Sequence, residues 1–417
     1  MKVLFISLGC DKNLVDSEHM SGILEKAGYQ FTDDEREADI IVINSCCFIN
    51  DAKEESINTI FEMARYKEEG NCKALVLAGC LAQRYYYEIK EEIPEIDICI
   101  GTTAIDSIAD ALNDFFKEKE KVFCLKNIDI HAGENAPRNL STSGSYAYLK
   151  IAEGCDKHCT YCIIPKIRGN YRSVKMEDVL KEAKELAESG VKELILVAQE
   201  TTMYGVDLYG KKSLHVLLKE LAKIPGVYWI RVLYCYPEEI YDELIDVMAS
   251  ESKICHYLDI PIQHASDNVL KRMGRRTDNK QLRDIIAKLR SKIPDIVLRT
   301  TLITGFPGET WEDHQITMEF VDEMEFDRLG VFTYSAEENT PAANMEDQID
   351  EEVKISRRNE IMELQQEIVF EKSEKLVGRE FVALTEGHIS GEHAYMGRTY
   401  MDIPGVDSNI FIVTDEE

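Results

Sequence analysis

The sequence of 417 residues lacks a long hydrophobic run, and no stretch approaches the roughly 20 apolar residues that a membrane-spanning helix needs. Its N-terminus has no charged leader followed by a small-residue cleavage site, so no signal peptide is expected. Basic residues are scarce, with 48 Lys and Arg against 77 Asp and Glu and a net charge of −29. Nucleic-acid binders are usually basic, so the acidic balance favours a basic protein or a small molecule as partner. The alternative is that the acidic charge serves only solubility. We expect a cytoplasmic protein.

Cysteine, by contrast, is abundant, since the chain has twelve. A disulfide framework is typical of small secreted domains, and neither condition is expected here. The cysteines therefore indicate metal or redox-cofactor ligation. Those that lie within or beside predicted elements are expected to pack as small hydrophobic side chains: Cys72, Cys99, Cys124, Cys235 and Cys255.

The length favours two or three domains, and strands alternate with helices over most of the chain. We predict a doubly wound parallel sheet over residues 1–125, a linker rich in turn formers over 126–145, a partial (βα) barrel over 146–375 and a small all-β domain over 376–417. A long charged helix, over about 349–376, should end the barrel. The fold class is therefore α/β with a small all-β C-terminal domain.

Four strands are predicted in the first domain, at "KVLFISLGC", "ADIIVINSCC", "KALVLAGC" and "EIDICIG". Asn50 and Asp51 can cap the helix that follows the second strand. Its helical spacing predicts one buried apolar face: Ile57, Ile60, Phe61 and Ala64. In the barrel, strands are predicted at "AYLKIAE", "KELILVAQ", "WIRVLYC", "HYLDIPIQ", "IVLRTTLITGF" and "RLGVFTYS".

The stretch "EGCDKHCTYCIIPKIRG" carries Cys155, Cys159 and Cys162 directly after a predicted strand. Three thiolates on one short loop can bind three irons of a 4Fe–4S cluster and leave the fourth iron open. An open iron can chelate S-adenosylmethionine and pass an electron to its sulfonium. This CxxxCxxC spacing at the carboxyl end of the first barrel strand resembles the radical S-adenosylmethionine superfamily. The alternative is a structural zinc site that His158 completes, although zinc sites favour paired CxxC knuckles.

Three N-terminal strands each deliver a cysteine at the same edge of the predicted sheet. Cys10, Cys46 and Cys80 follow the first three strands, and ligands of doubly wound sheets bind at that carboxyl edge. Three such thiolates can hold a second 4Fe–4S cluster, again with one open iron. The alternative is that they are ordinary buried cysteines. Spacing alone does not choose between Cys46 and Cys47.

Several stretches resemble the radical S-adenosylmethionine methylthiotransferase family: "SLGCDKNLVDSE", "INSCCFINDAKEES", "AGCLAQRY", "YAYLKIAEGCDKHCTYCIIPKIRGNYRS", "YLDIPIQHASDNVLKRMGRR" and "TTLITGFPGET". The resemblance covers nearly the whole chain and implies an N-terminal cluster domain, a radical barrel and a C-terminal TRAM β-domain. It also implies two sets of cluster ligands: Cys10, Cys46 and Cys80, and Cys155, Cys159 and Cys162. In the family pattern Cys47 is not a ligand. The TRAM domain normally continues beyond a point equivalent to "NIFIV", so an apparently incomplete domain is expected here.

The family has two branches. RimO-like members methylthiolate an aspartate β-carbon of ribosomal protein S-twelve (uS12), and MiaB-like members methylthiolate an adenosine derivative of transfer RNA. The stretches "AQETTMYGVDLYG", "FTYSAEENTPAA" and "GRTYMDIPGVDSNIFI" are closer to the ribosomal branch. The tail from Leu376 agrees, because it has two basic residues, Arg379 and Arg398, against eight acidic ones. An acidic surface suits a basic ribosomal protein better than RNA phosphates.

The resemblance implies that the open iron of the N-terminal cluster carries a sulfur that one S-adenosylmethionine methylates, while a second supplies the radical. Tyr161 corresponds to the aromatic near the adenine, or it simply packs in the loop. Gln199, Gln263 and Arg299 are cofactor contacts or barrel caps. An external electron donor, a sulfur source, no membrane and a monomer are expected. A non-catalytic electron-transfer protein would need four ligands for each cluster, which six well-placed cysteines do not supply.

Overall fold

The structure is a computed structural model that describes residues 1–133, 136–142 and 144–414. Part of the predicted linker (residues 134, 135 and 143) and three of the acidic residues counted in the tail (415–417) lie outside the described residues. The chain forms two compact units. Unit 1 contains Met1–Ser141, Ala152–Val174 and Ser335–Ala343, and unit 2 contains Thr142–Ile151, Lys175–Tyr334 and Asn344–Glu417.

The strands are named in chain order: β1 (Lys2–Ser7), β2 (Gln30–Phe31), β3 (Ile40–Ser45), β4 (Ala74–Gly79), β5 (Ile98–Ile100), β6 (Val122–Cys124), β7 (Tyr146–Lys150), β8 (Ala152–Glu153), β9 (Arg172–Ser173), β10 (Glu193–Val197), β11 (Trp229–Val232), β12 (Ile254–Asp259), β13 (Val297–Thr304), β14 (Arg328–Thr333), β15 (Leu384–His388), β16 (Ala394–Arg398) and β17 (Ile410–Val413).

The α-helices are named in the same way: α1 (Asp11–Lys26), α2 (Asn50–Ala64), α3 (Tyr66–Glu69), α4 (Cys80–Arg84), α5 (Tyr86–Glu92), α6 (Ile108–Glu118), α7 (Ile164–Ile167), α8 (Met176–Glu188), α9 (Val206–Tyr209), α10 (Leu214–Ala222), α11 (Asp242–Ser250), α12 (Asp267–Arg272), α13 (Asn279–Lys292), α14 (Trp311–Met324) and α15 (Glu351–Glu374). Of these helices, none is long and apolar enough to cross a membrane, the search covering only the described residues.

Unit 1 is built on a parallel sheet of six strands in the order β2-β1-β3-β4-β5-β6. The four predicted strands are β1, β3, β4 and β5, whereas the edge strands β2 and β6, of two and three residues, were not predicted. Side chains of one strand alternate between two apolar clusters: Ile41 and Ile43 belong to one, and Ile40 and Val42 belong to the other. Both faces of the sheet are therefore buried, which is typical of a doubly wound sheet.

Helix α2 begins at Asn50, with Ile49 rather than Asn50 or Asp51 at its N-cap and without a side-chain cap. Its predicted apolar face is only partly correct. Ile60 is buried, but Ile57 and Phe61 are 37% and 47% exposed. The Ser56 hydroxyl explains the rotation, because it donates to the Cys46 carbonyl at 2.9 Å and accepts from the Cys46 N–H at 3.1 Å. These bonds turn Ser56 inward, which moves the apolar stripe away from the core.

Part of the predicted linker is packed into unit 1 by ion pairing. The buried carboxylate of Glu18, on α1, lies 2.8 Å from Nε of Arg138. Its other oxygen accepts hydrogen bonds from the N–H and the hydroxyl of Ser141, both at 2.8 Å. The described residues 136–141 are therefore fixed against α1.

Unit 2 contains a second parallel sheet of six strands, in the order β14-β13-β12-β11-β10-β7. All six predicted barrel strands are present, and the end strands β14 and β7 are not paired with each other in the described part of the chain. The sheet is therefore a partial barrel. The long helix predicted over 349–376 is α15, and the tail forms a small antiparallel sheet, β15-β16-β17. The predicted α/β fold class with a small all-β end is confirmed.

The small β-sheet is joined to the barrel sheet, inside unit 2, by buried ion pairs. Arg398 of β16 lies 2.8 Å from Glu193 of β10, and Arg231 of β11 lies 2.7 Å from the other oxygen of the same carboxylate. The three side chains are fully buried. Arg328 and Arg299 also pair with acidic side chains of the tail, Asp402 and Asp407, at 2.5 and 3.6 Å. Much of the tail's charge is thus neutralised inside the unit.

Candidate metal centre

Two of the N-terminal cysteines, Cys10 and Cys46, lie where the strand order of the first sheet reverses, and Cys80 follows the neighbouring strand. Cys10 follows β1 and occupies the N-cap position of α1, Cys46 follows β3, and Cys80 begins α4 directly after β4. Strand β1 lies between β2 and β3, so β2 lies on one side of β1 and all later strands of the sheet lie on the other. Doubly wound sheets bind ligands in the crevice that forms there, at the carboxyl ends of the strands.

Close packing brings these segments together. Gly9 has φ +86°, and a methyl group at its Cα would lie 2.6 Å from Cβ and 2.9 Å from Sγ of Cys46. The backbone before Cys10 therefore lies directly against the Cys46 side chain, an approach that only glycine allows. Charge on Cys46 or Cys10 would raise the pKa of Cys80, as expected for thiols that share one crevice.

Two asparagines fix the backbone around the thiols. Asn13 donates from Nδ2 to the carbonyls of Leu8 and Ser45, both at 3.0 Å. Asn44 donates to the carbonyl of Asn13 at 2.7 Å and to the Ser17 hydroxyl at 2.9 Å. The amides satisfy buried backbone carbonyls in irregular segments, and this holds the loops after β1 and β3 in one conformation.

Burial distinguishes the three thiols. Cys10 is exposed, whereas Cys46 and Cys80 are buried. Burial raises the pKa of Cys46, and it raises the pKa of Cys80 to about 12, with the Arg168 guanidinium acting in the opposite direction on Cys80. Thiols of this kind remain protonated until a metal displaces the proton, so metal binding there releases protons.

Cys47 is more deeply buried than Cys46 and Cys80. It is fully buried in an apolar cluster that contains Leu75 and Leu77 and also reaches Cys80, and burial raises its pKa strongly. Its backbone carbonyl accepts a hydrogen bond from Arg84 Nη1 at 3.1 Å.

The CxxxCxxC loop belongs to unit 1 as well. The antiparallel strands β8 and β9 close its base, with Glu153 paired to Arg172, and α7 follows its last cysteine. Cys155 and Cys159 are buried, and Cys162 is partly buried. Gly154 has φ +80°, and a methyl group there would lie 2.1 Å from the Asn170 carbonyl oxygen, so glycine is required where the loop leaves β8.

The two other residues singled out in this loop differ in environment. His158 is exposed and has φ +51°, in the left-handed region. Tyr161 is partly buried. The loop is also held from outside, because the N–H of Ala342 donates to the carbonyl of Thr160 at 2.9 Å.

Residues 335–343 connect both thiol regions of unit 1. The buried carboxylate of Glu337 lies 2.8 Å from Nη1 of Arg84, on the helix that begins with Cys80, and 3.2 Å from Nζ of Lys53 on α2. The second guanidinium nitrogen of Arg84 donates to the Glu338 carbonyl at 3.1 Å. This segment therefore fastens α4 and α2 from one side while Ala342 holds the CxxxCxxC loop.

The donor chemistry suits iron–sulfur clusters better than a single ion. All twelve cysteines are described and none is in a disulfide. Within the described residues, no three His, Cys, Asp or Glu side chains converge tightly enough to hold one metal ion. Each iron of a cubane takes its own thiolate, so a cluster accepts thiols that are too far apart to share a single ion. Two sets of three soft donors in one unit fit that chemistry.

Sequence reasoning missed the polar residues that surround the thiols. Arg168 is buried at the end of α7 and lies 3.4 Å from Sγ of Cys80 and 2.7 Å from Asp16. A signal for its partners existed, because Asn13 and Asp16 are buried polar residues on the helix directly after Cys10. Polar residues on a buried helix face indicate buried polar partners, which the apolar helical pattern does not reveal.

The barrel residues considered as cofactor contacts also have their own partners. Arg299 pairs with Asp259 at 3.1 Å and with Asp407 at 3.6 Å, so it contributes to packing in unit 2. Gln263 has φ +71°, and its backbone pairs with β13 through Thr301 and Ile303. Gln199 is partly buried. The Arg299 side chain therefore forms ion pairs with two carboxylates.

The partial barrel and the CxxxCxxC loop after its first strand define the class of radical S-adenosylmethionine enzymes. Residues 149–321 match the family described as the Radical SAM superfamily, and residues 2–101 match the family described as Uncharacterized protein family UPF0004. Two solved structures share the fold. TsrM from Kitasatospora setae, with cobalamin and a [4Fe-4S] cluster bound, has a TM-score of 0.57 at 13% identity over 82% of this chain and 73% of its own. The cobalamin-dependent enzyme OxsB has a TM-score of 0.53 at 14% identity over 89% and 56%.

Much more similar relatives identify the particular family. The ribosomal protein uS12 methylthiotransferase RimO of Lachnoclostridium phytofermentans is 61% identical over 100% of this chain and 94% of its own length. Proteins of the same name from Clostridium perfringens and Acetivibrio thermocellus are 54% and 53% identical over 92% and 93% of their lengths. This chain belongs to the RimO family of radical S-adenosylmethionine methylthiotransferases. The family and enzyme class predicted from the sequence are confirmed, and with them the implied use of 4Fe–4S clusters and S-adenosylmethionine.

Proposed function

We propose that the chain methylthiolates an aspartate β-carbon of ribosomal protein uS12, the protein for which its relatives are named. The observation that carries the proposal is the presence of two sets of three thiols in one compact unit, one set at the switch point of a doubly wound sheet and one on the CxxxCxxC loop. A single set would serve radical chemistry alone, whereas sulfur transfer calls for a second site.

In this proposal Cys10, Cys46 and Cys80 bind one 4Fe–4S cluster. Cys155, Cys159 and Cys162 bind the other, and Tyr161 contacts the adenosine of S-adenosylmethionine. The exposure of His158 and the complete burial of Cys47, at 0% against 8% for Cys46, favour leaving both out of the ligand sets. Three thiols for four irons leave one open position in each cluster.

When bound, the clusters and S-adenosylmethionine supply the radical chemistry and the methylthio group. The side chains of this chain cannot supply them, because an aliphatic C–H bond is not acidic at any accessible pKa. The protein positions the thiols with Gly9, Asn13 and Asn44, and it buries Cys46 and Cys80 away from water. An external electron donor and a sulfur source complete the proposed reaction.

We propose four regions: a cluster-binding domain over 1–125, a linker over 126–145, a radical barrel over 146–375 and a TRAM β-domain over 376–417. None of the twelve cysteines is in a disulfide, which supports a reducing compartment, and we propose the cytoplasm. We also propose that the protein acts as a monomer.

The charge argument for a basic protein partner requires one correction. Arg398, Asp402 and Asp407 are paired inside unit 2, so the described tail surface is less acidic than its count of residues suggests. The support that remains is the net charge of −29 for the whole chain. Charge complementarity with a basic protein would weaken as salt rises, because exposed charges are screened beyond about 10 Å.

The test is a reaction of anaerobically reconstituted protein with reductant, sulfide, S-adenosylmethionine and ribosomes. We expect a mass gain of about 46 Da on one aspartate of uS12, which is the replacement of H by SCH₃. The product should form equally from ribonuclease-treated uS12. A Cys155→Ala variant is the matched control and should give no product. A mass gain on transfer RNA, with none on uS12, would instead assign the chain to the MiaB-like activity.

A further inference from the structure

Arg168 is a buried cation between the two thiol sets of unit 1. It follows Cys162 by six residues, at the end of α7, and only 2% of its surface is exposed. A buried guanidinium is costly unless its hydrogen-bond donors and its charge are matched by neighbours. Its neighbours therefore indicate what it does.

Two carboxylates hold its charge. Nη1 lies 2.7 Å from Oδ2 of Asp16 on α1 and 3.4 Å from Oε2 of Glu153 at the end of β8. Both carboxylates are buried. Burial alone would lower the pKa of Arg168, but Cys80, Glu153 and Asp16 together raise it well above its ordinary value, so the group stays charged.

The other nitrogen points at the N-terminal thiols. Nη2 donates to Asn13 Oδ1 at 2.5 Å and lies 3.4 Å from Sγ of Cys80. Asn13 in turn fixes the backbone before and after the thiol segments, through Leu8 and Ser45. A planar guanidinium held at both ends presents its N–H to the sulfur in one orientation.

We propose that Arg168 is a positioning residue that donates a charge-assisted hydrogen bond to the Cys80 sulfur and thereby raises the reduction potential of the N-terminal cluster. The inference rests on the proposed assignment of Cys80 as a ligand of that cluster. Hydrogen bonds to ligand sulfurs and nearby positive charge stabilise the reduced, more negative form of an iron–sulfur cluster. Because Arg168 ends the helix after the CxxxCxxC loop, the position of that loop also influences the reduction potential of the N-terminal cluster.

The experiment measures the midpoint potential of the N-terminal cluster alone. A full-length parent carrying Cys155→Ala, Cys159→Ala and Cys162→Ala is reconstituted anaerobically and titrated while the reduced cluster is followed by electron paramagnetic resonance. Arg168→Gln in this parent should shift the midpoint to more negative values. Arg168→Lys keeps the positive charge but lacks the planar guanidinium donors, so it should shift the midpoint less than Arg168→Gln does.

Arg172→Gln is the matched control. Arg172 is also a buried arginine of this loop, but its described hydrogen bonds go to the backbone carbonyls of Ile130, Arg168 and Asn170. Its replacement should leave the midpoint at the parent value. If Arg168 were merely structural, Arg168→Gln and Arg172→Gln would both reduce the amount of cluster bound, and neither would change the midpoint potential selectively.

The outcomes separate the inference from the proposed function. If the parent binds no cluster, the ligand assignment fails and the inference fails with it. If the parent binds a cluster and Arg168→Gln has the parent midpoint, only the inference is overturned. If Arg168→Gln does not load, Arg168→Lys decides, because an unchanged midpoint there overturns the inference and a negative shift supports it.

Discussion

At the scale of single residues, the contact between Gly9 and Cys46 leads to a prediction with an internal control. Gly9→Ala adds a methyl group 2.6 Å from Cβ of Cys46, in a backbone with φ +86°. Gly28→Ala adds the same group at φ +89° with nothing within 4 Å. Both changes carry left-handed strain of about 1 to 2 kcal/mol, but only Gly9→Ala displaces a thiol.

We therefore expect Gly9→Ala to reduce the iron bound by the N-terminal site and Gly28→Ala to leave it unchanged. Iron and sulfide analysis after anaerobic reconstitution measures the difference, and thermal unfolding of the apo-proteins measures the shared strain. Equal iron contents in the two variants would show that the contact does not position Cys46.

Cys46 and Cys47 provide a second prediction at this scale. Cys47→Ala removes a small side chain from an apolar cluster and should keep the iron of both sites, at a stability cost of about 1 kcal/mol. Cys46→Ala should lose the N-terminal cluster while the protein still cleaves S-adenosylmethionine. The measurements are the iron content and the formation of the cleavage product. The reverse pattern would make Cys47 the ligand.

At the scale of elements, the loop between β8 and β9 is a closed unit with its own thiols. Replacing Cys155, Cys159 and Cys162 together by Ala should lower the iron of the reconstituted protein from about eight to about four per chain. The N-terminal thiols come from other elements and should still load. Zinc filling both sites under anaerobic, iron-replete conditions would contradict the cluster assignment.

The strands, rather than the helix faces, were predictable from the sequence. Buried parallel strands such as β3 and β4 are continuous apolar runs that end at a cysteine, so the pattern carried both the fold and the candidate site. The predicted buried face of α2 was wrong because Ser56 hydrogen-bonds to the Cys46 backbone. Such a tertiary contact produces no periodic pattern in the sequence. Arg168 was missed for a similar reason, since it meets Cys80 across 88 residues of sequence. Contacts between distant positions leave no local pattern.

At the scale of the whole molecule, the two arginines of the tail differ in environment and give a matched pair. Arg398 is fully buried against Glu193 and Glu386, whereas Arg379 is exposed and lies over the ring of Phe381. Removing one partner of a buried ion pair leaves an uncompensated charge, which costs on the order of 3 kcal/mol. An exposed arginine contributes within about 0.5 kcal/mol.

We expect Arg398→Met to lower the free energy of opening in β10 and β16 and Arg379→Met to leave it unchanged. Hydrogen exchange of the backbone amides in those strands measures it directly, without assuming that the multidomain chain unfolds in one step. Equal protection in the two variants would show that the buried pairs do not hold the β-sheet of the tail to the barrel sheet.

The segment 335–343 also sets an order of events during synthesis of the chain. Glu337 is made 253 residues after its partner Arg84, which lies on the helix that begins with Cys80. At cellular rates of translation that interval is on the order of tens of seconds. During it the N-terminal thiols have emerged from the ribosome, but the ion pairs that fasten α4 and α2 cannot yet form. Fastening of the helices beside the N-terminal thiols is therefore a late step in biosynthesis.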